Sequence, residues 1–102
     1  MDFGIEKNQQ DGSWHIILSG EIDIYNSTEL KSQLAGLMTE NPLDVHVDCT
    51  NLEYIDSTGL GALVGALKNI KSHEKNMYLA NVKPNILKLF HITNLDKVFI
   101  LE

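Results

Sequence analysis

The spacing of apolar residues changes several times along the chain, and each change marks an element. Phe3, Ile5 and Lys7 alternate with other residues up to the polar run Asn8-Gln9-Gln10-Asp11-Gly12-Ser13, after which Trp14-His15-Ile16-Ile17-Leu18-Ser19 reads as extended again. Two such runs around a turn-rich segment predict a β-hairpin. Glu21-Ile22-Asp23-Ile24-Tyr25 then crosses to a helix whose cap is Asn26 or Ser27, both of which can accept from the free amides of a first turn. In that helix Leu30, Leu34, Leu37 and Met38 keep the three-and-four spacing of one apolar stripe, with Glu29, Lys31 and Gln33 on the other side, so the stripe packs on a sheet. Pro42 ends it, lacking an amide hydrogen and restricting Asn41 before it.

Leu43, Val45 and Val47 alternate with Asp44, His46 and Asp48, which predicts a strand with one face more polar than the other. The stretch from Val45 to Leu63 then reads as a β-rich run, a polar loop, an Asp56-Ser57-Thr58-Gly59 turn and a helix of small and apolar residues. Leu60, Leu63, Val64 and Leu67 exceed one stripe, so the helix either is covered on two sides or leaves apolar area for a partner protein. Gly61 and Gly65, four apart, are expected to let it pack closely on the sheet. Met77-Tyr78-Leu79-Ala80 is a short strand, and Pro84 suits the first turn of a helix through Ile86, Leu87, Leu89 and Phe90. Asn94 tolerates the left-handed conformation that closes such a helix, and Val98-Phe99-Ile100-Leu101 is a last strand. The class is therefore α/β: a mixed sheet with an N-terminal hairpin and βα units, its helices mainly on one face.

The chemistry-bearing feature is the hydroxyl of Ser57 at the start of a helix. Amides are unpaired there and the dipole is positive, so a phosphate on Ser57 or Thr58 meets a favourable field. Asp, Ser and Thr are also the ordinary capping residues, and spacing alone favours plain capping. Asp56 cannot form a capping box, because Gly59 stands three residues on.

Composition removes most other function classes. One domain spanning 1–102 is the expectation for 102 residues with 43% hydrophobic and 22% charged residues. A net charge of −6 and a pI near 5.0 argue against direct binding of nucleic acid, and Lys68, Lys71 and Lys75 read as a solvated helix face beside Glu74. Met1-Asp2-Phe3-Gly4 begins neither a basic leader nor a membrane segment, so no membrane contact is expected. Cys49 is the single cysteine, which rules out an internal disulfide, suits the reducing cytoplasm and reads as a core residue.

No catalytic, cofactor or metal site is expected. Gly59-x-Gly61 lacks the third glycine of a dinucleotide fingerprint, because Val64 occupies its place. No Gly-Lys-Ser/Thr loop exists, and His15, His46, His73 and His91 lack the spacing of a zinc helix. A nucleophile elbow is absent too, since Ile55 stands two residues before Ser57, leaving a serine hydrolase the least favoured alternative.

Gly20-Glu21-Ile22-Asp23, then Tyr54-Ile55-Asp56-Ser57-Thr58-Gly59-Leu60-Gly61, and finally Leu89 through Phe99 resemble the anti-sigma factor antagonists built on the STAS domain. The resemblance covers nearly the whole chain, and the Asp-Ser-Thr-Gly-Leu-Gly run is its specific part. It implies a single STAS domain whose unphosphorylated form binds an anti-sigma factor serine kinase of the histidine-kinase-like ATPase fold and so frees a sigma factor. It further implies that this kinase phosphorylates Ser57 and abolishes docking, and that a serine phosphatase reverses the change. Asp23 matches the family's acidic residue near that serine, with a plain turn carboxylate as its other reading. Asp56, Thr58, Leu60 and Leu63 complete the expected partner surface, Thr58 as a capping hydroxyl. Tyr25-Asn26-Ser27 departs from the small or proline-containing segment of relatives, which bears on partner choice, and Asn94 stands where the family commonly has glycine. The alternative within the family is a nucleotide- or ligand-sensing STAS module; a pure scaffold is a third possibility.

Overall fold

The computed structural model describes residues 3–102; Met1 and Asp2, and with them the expectation about the first residues, lie outside the described part. Strand β1 (Phe3–Gln10) and β2 (Ser13–Ile22) form the hairpin, followed by α1 (Ser27–Glu40), β3 (Asp44–Ile55), α2 (Ser57–Ser72), β4 (Met77–Ala80), α3 (Pro84–Ile92), a 3-10 turn (Leu95–Lys97) and β5 (Ile100–Leu101). The sheet order is β1-β2-β3-β4-β5, with β1 antiparallel to β2 and every later pairing parallel. The expected mixed α/β sheet is what forms.

The hairpin is tighter than the polar run suggested. Gln10 pairs with Ser13, and the connection is Asp11 and Gly12 alone, both at positive φ (55° and 75°), the two-residue turn whose twist matches its strands. Asn94 takes the left-handed conformation (φ 60°) after α3, as expected. The last strand shrinks to Ile100 and Leu101, while Phe99 tilts against Phe90 in the core at 5.5 Å between ring centroids.

Trp14, Ile16 and Leu18 of β2, Val45, Val47 and Cys49 of β3, and Met77 and Leu79 of β4 project to one side of the sheet. There they join Leu30, Leu34, Leu37 and Met38 of α1, the apolar residues of α2, and Ile86 and Phe90 of α3 in one cluster. Period two along each strand thus leaves the second face uncovered by helices. Across that face His15, His46 and Tyr78 stand in register as a ladder of stacked rings, 5.2 and 4.6 Å between centroids. Burial within the core pushes the Cys49 thiol up to about 12. Among the described residues no helix is long and apolar enough to cross a membrane.

The expected polar loop before Asp56 does not exist, because β3 continues to Ile55. Its buried positions run Val45, Val47, Cys49 at spacing two and then Leu52, Ile55 at spacing three. Pairing with β2 slips at the same places. Ile17 faces Asp48 but Ser19 faces Asn51, and Gly20 faces Leu52 but Glu21 faces Tyr54, so β3 holds one extra residue at each step. These two bulges return Leu52 and Ile55 to the core despite the longer spacing. Gly20, at φ 84°, supplies a backbone turn on β2 that a side-chain-bearing residue rarely adopts.

Candidate functional site

The lengthened β3 ends opposite β2, with Ile55 facing Ile22. One residue on, the Asp56 amide donates to the Ile22 carbonyl at 3.1 Å, so the start of α2 is tied to the end of β2. Asp56 has extended backbone (φ −100°, ψ −175°), and its carboxylate accepts from the Gly59 amide at 3.0 Å, the geometry of an N-cap. Its Oδ1 also accepts from the Thr58 hydroxyl at 2.6 Å. The Thr58 hydroxyl, then the Gly59 amide, hold the Asp56 carboxyl below the usual carboxylate range, and the backbone of Ile24 adds to this. Thr58 therefore braces the cap rather than acting as one.

Ser57 is the first residue of α2, and its side chain is exposed. Among the described residues its hydroxyl makes no hydrogen bond. The neighbouring wall is the turn between β2 and α1. The Asp23 carbonyl accepts from the amides of Asn26 (3.2 Å) and Ser27 (2.9 Å), while its carboxylate accepts from the Tyr25 amide at 2.9 Å. Asn26 occupies the cap position of α1 yet makes no capping bond. Its side chain points backward, accepting from the Asp23 amide at 2.9 Å and donating to the Glu21 carbonyl at 2.8 Å. Asp23 thus holds its own turn and does not bond the Ser57 hydroxyl.

Two expected partner residues are withdrawn from the surface. Leu60 and Leu63 are 4% and 1% exposed, because α2 is covered both by the sheet and by α1. An apolar side chain of either residue is spent on the core and cannot meet a partner without unfolding. The glycines also divide differently from the expectation. Gly59 is the one pressed on the sheet side, where a Cβ would come within 2.6 Å of Ile55 Cγ1 and 2.8 Å of Ile22 Cγ2. Gly65 makes room for Lys31 of α1, whose Cε would lie 2.7 Å from its Cβ, and Gly61 faces open space.

The exposed apolar side chains nearest this turn are instead Ile24 (65% exposed) and Tyr25 (93% exposed). Read only as a crossing to α1, Glu21-Ile22-Asp23-Ile24-Tyr25 does not reveal the exposure of Ile24, while Tyr25 stands out only through its departure from relatives. The signal available was the flanking pair Asp23 and Asn26, turn-forming residues that make 24 and 25 the tip of a turn. Phe3, Asp23, Tyr25, Asn26 and Glu29 line a cavity of about 340 Å³ beside this tip. The exposed hydroxyl and cap carboxylate follow the end of β3, and the acidic turn with its aromatic tip follows the end of β2, the two strand ends being joined by the Asp56–Ile22 bond. Among the described residues no three His, Cys, Asp or Glu side chains gather as metal ligands.

Residues 4–102 match the family model of the STAS domain. The chain is 40% identical over 95 residues to an anti-sigma-B factor antagonist of Staphylococcus epidermidis, an overlap that spans 93% of this chain and 88% of the relative. Among solved structures, an anti-sigma factor antagonist from Mycobacterium paratuberculosis superposes with a TM-score of 0.85 at 23% identity, covering 98% of this chain and 85% of that one. The Bacillus cell fate determinant SpoIIAA in its phosphorylated form superposes with a TM-score of 0.73 at 19% identity, covering 99% and 91%. At such identities the two structures speak for the fold alone.

Proposed function

The chain belongs to the STAS domain family of anti-sigma factor antagonists, and we propose that it is a phosphorylation-controlled binding protein that relieves a sigma factor from its inhibitor. In this reading the unphosphorylated chain docks on an anti-sigma factor that is also a serine kinase of the histidine-kinase-like ATPase fold. The kinase transfers a phosphoryl group to Ser57, docking ends, and a serine phosphatase resets the cycle in the cytoplasm. The chain contributes the hydroxyl and the surface; catalysis belongs to its partners.

The observation that carries this reading is the exposed Ser57 hydroxyl, held at the first position of α2 by the Asp56 cap and walled by the Asp23 turn. A phosphate adds about −1.5 to −2 charges. At a helix N-terminus these stabilise the helix, so the fold survives modification. In a water-excluded interface the same dianion is uncompensated and stands beside the carboxylates of Asp56 and Asp23, at a cost of roughly 2–5 kcal/mol in binding. Asp23, Asp56, Ser57 and Thr58 are thereby the polar part of the docking surface, and Ile24 and Tyr25 its apolar part.

The test is reconstitution with the cognate kinase and ATP, followed by phosphopeptide mapping. The expected product is a single phosphate on Ser57. Ser57→Ala stays bound in the presence of ATP, Ser57→Asp binds weakly, and both keep the far-ultraviolet circular dichroism of the wild type. Transfer to another residue, or equal binding of both forms, would overturn the proposal.

A further inference from the structure

Strands β2 to β5 pair in parallel and are added in chain order toward one edge, so connections of a single hand carry α1, α2 and α3 to the same side of the sheet. Parallel pairing ordinarily comes with cover on both faces, and here one face is bare. That face has a definite layout. Asn8, His15, His46, Tyr78 and Ile100 stand in register across all five strands, a row roughly 19 Å long at about 4.8 Å per strand. Its three rings stack on one another, so their edges rather than their faces meet whatever lies above.

Beside the ring row runs a second one, Glu6, Ile17, Asp48 and Ala80, again in register. Glu102 completes it just past β5, where its amide donates to the Leu79 carbonyl at 2.8 Å and its carboxylate comes within 3.6 Å of His46 Nδ1. The carboxylates of Glu6, Asp48 and Glu102 thus recur on every second strand, about 9.6 Å apart. Asp48 accepts from Thr50 and Asn81 through Oδ1 alone, and its Oδ2 has no partner among the described residues. No cation on this face answers them. The chain has no arginine, and the one lysine within a described strand, Lys7, lies on the other face, 5.6 Å over the Trp14 ring. Ile17 and Ile100 remain 38% and 39% exposed, and a groove of about 410 Å³ runs between the rows, with His15, Ile17, His46 and Asp48 in its lining.

Charge and spacing together choose the occupant. A second copy laid face to face would set carboxylate against carboxylate, and the phosphates of a nucleic acid or an anionic membrane would meet the same repulsion. A helix, by contrast, brings a side chain back to the same side after seven residues, about 10.5 Å along its axis, close to the two-strand repeat of the carboxylates. We infer that the bare face docks a cationic amphipathic helix of a partner protein. Its apolar side lies along the ring row, and its Arg or Lys residues, seven apart, meet Glu6, Asp48 and Glu102. Neither Ser57 nor its phosphorylation takes part.

The test titrates the whole unphosphorylated chain with a synthetic helix of about 18 residues, leucines along one side and arginines seven apart beside them, and follows amide nuclear magnetic resonance. Saturable shifts are expected at Ile17, His46, Asp48 and Tyr78. In the double variant Glu6→Gln/Glu102→Gln affinity should fall about fivefold and depend less on salt, as for two exposed ion pairs lost. Both side chains are exposed, and the amide spectrum of the variant reports its fold directly. A peptide of the same composition with its arginines five apart, off a common side, should bind about fivefold more weakly, and one with glutamates in their place should not bind. Absence of binding overturns the inference. So does equal binding of the two arginine peptides, or shifts of equal size at Asp23, Glu29 and Glu53, either of which would mean attraction to the net charge of −6 alone. Movement of the same resonances with chain concentration, before any peptide is added, would seat a second copy on the face and overturn it too. A kinase that modifies some residue other than Ser57 would remove the proposed switch and leave every one of these results as it is.

Discussion

The Asp56 amide donates to the carbonyl of Ile22 at 3.1 Å, and through that bond the turn carrying Asp23 and the helix carrying Ser57 become neighbours. Both sites of charge are thereby fixed to the ends of adjacent, hydrogen-bonded strands rather than to free loops. A surface built this way is preorganised, so docking need not order it first. A phosphate on Ser57, as proposed, would change the field of this surface without a need to change its shape.

The cap carboxylate makes stability sensitive to acid. Asp56 is held below its ordinary value of 3.8 in the folded chain, so its contribution is present above that value and is lost as pH falls through the lower, folded one. Asp56→Asn still caps the helix but carries no titratable group. Thermal melts should show a lower melting temperature for Asp56→Asn at pH 6, with the gap to wild type closing below pH 3.8. A gap of constant size from pH 6 to pH 2 would mean that the charge plays no part.

Three glycines of one helix should respond in different ways to the same methyl group. Gly61→Ala meets open space and removes backbone freedom from the unfolded chain, a gain of about 0.4–1 kcal/mol. Gly59→Ala drives a Cβ into Ile55 and Ile22, a loss of roughly 1–3 kcal/mol. Gly65→Ala displaces the Lys31 stem and falls between them. Urea unfolding ranks the three, and equal effects at 59 and 61 would contradict the packing described.

Core and contact surface can be told apart by one pair of substitutions. Tyr25→Ser touches an almost fully exposed ring and should leave stability within about 0.5 kcal/mol. If the turn tip docks on the partner, the same change weakens binding by about 2 kcal/mol or more. Leu63→Ala does the reverse, destabilising the chain by roughly 2–5 kcal/mol through a buried cavity. Calorimetric titration beside denaturant unfolding reads both quantities, and unchanged affinity for Tyr25→Ser would remove the tip from the interface.

Cys49 should be inert in the folded chain. Its thiol is buried and pushed up to about 12, so the reactive thiolate is scarce at neutral pH. Reaction with a disulfide dye is expected only as fast as the chain unfolds, and prompt modification of native protein would contradict the burial.

Most of the fold was legible because its elements keep one period each. The α1 stripe at Leu30, Leu34, Leu37 and Met38 is buried as read, and Pro84 and Asn94 bound α3 where their backbone chemistry says they should. The end of β3 was not legible, because Cys49, Leu52 and Ile55 are three apart and a bulge leaves no mark in a two-residue pattern. The site divided along the same line. Asp56 as cap and Ser57 as first helical residue follow from local chemistry. Which leucines of α2 remain free depends on where α1 sits, a long-range fact that no window of sequence contains. Ile24 was hidden for the opposite reason, since its hydrophobicity argues for burial that the Asp23 turn prevents.

The two bulges give β3 spare length in two places. Deleting Glu53 would take out one of them and leave Ile55 opposite Ile22, at the expense of the 2.8 Å tie from Lys83. Deleting Val47 would instead remove a core side chain and turn the segment from Asp48 to the first bulge over, taking Cys49 out of the core before the bulge absorbs the missing residue. Natural shortening of this strand is therefore to be sought at its far end, where the ladder can lose a rung without changing hands.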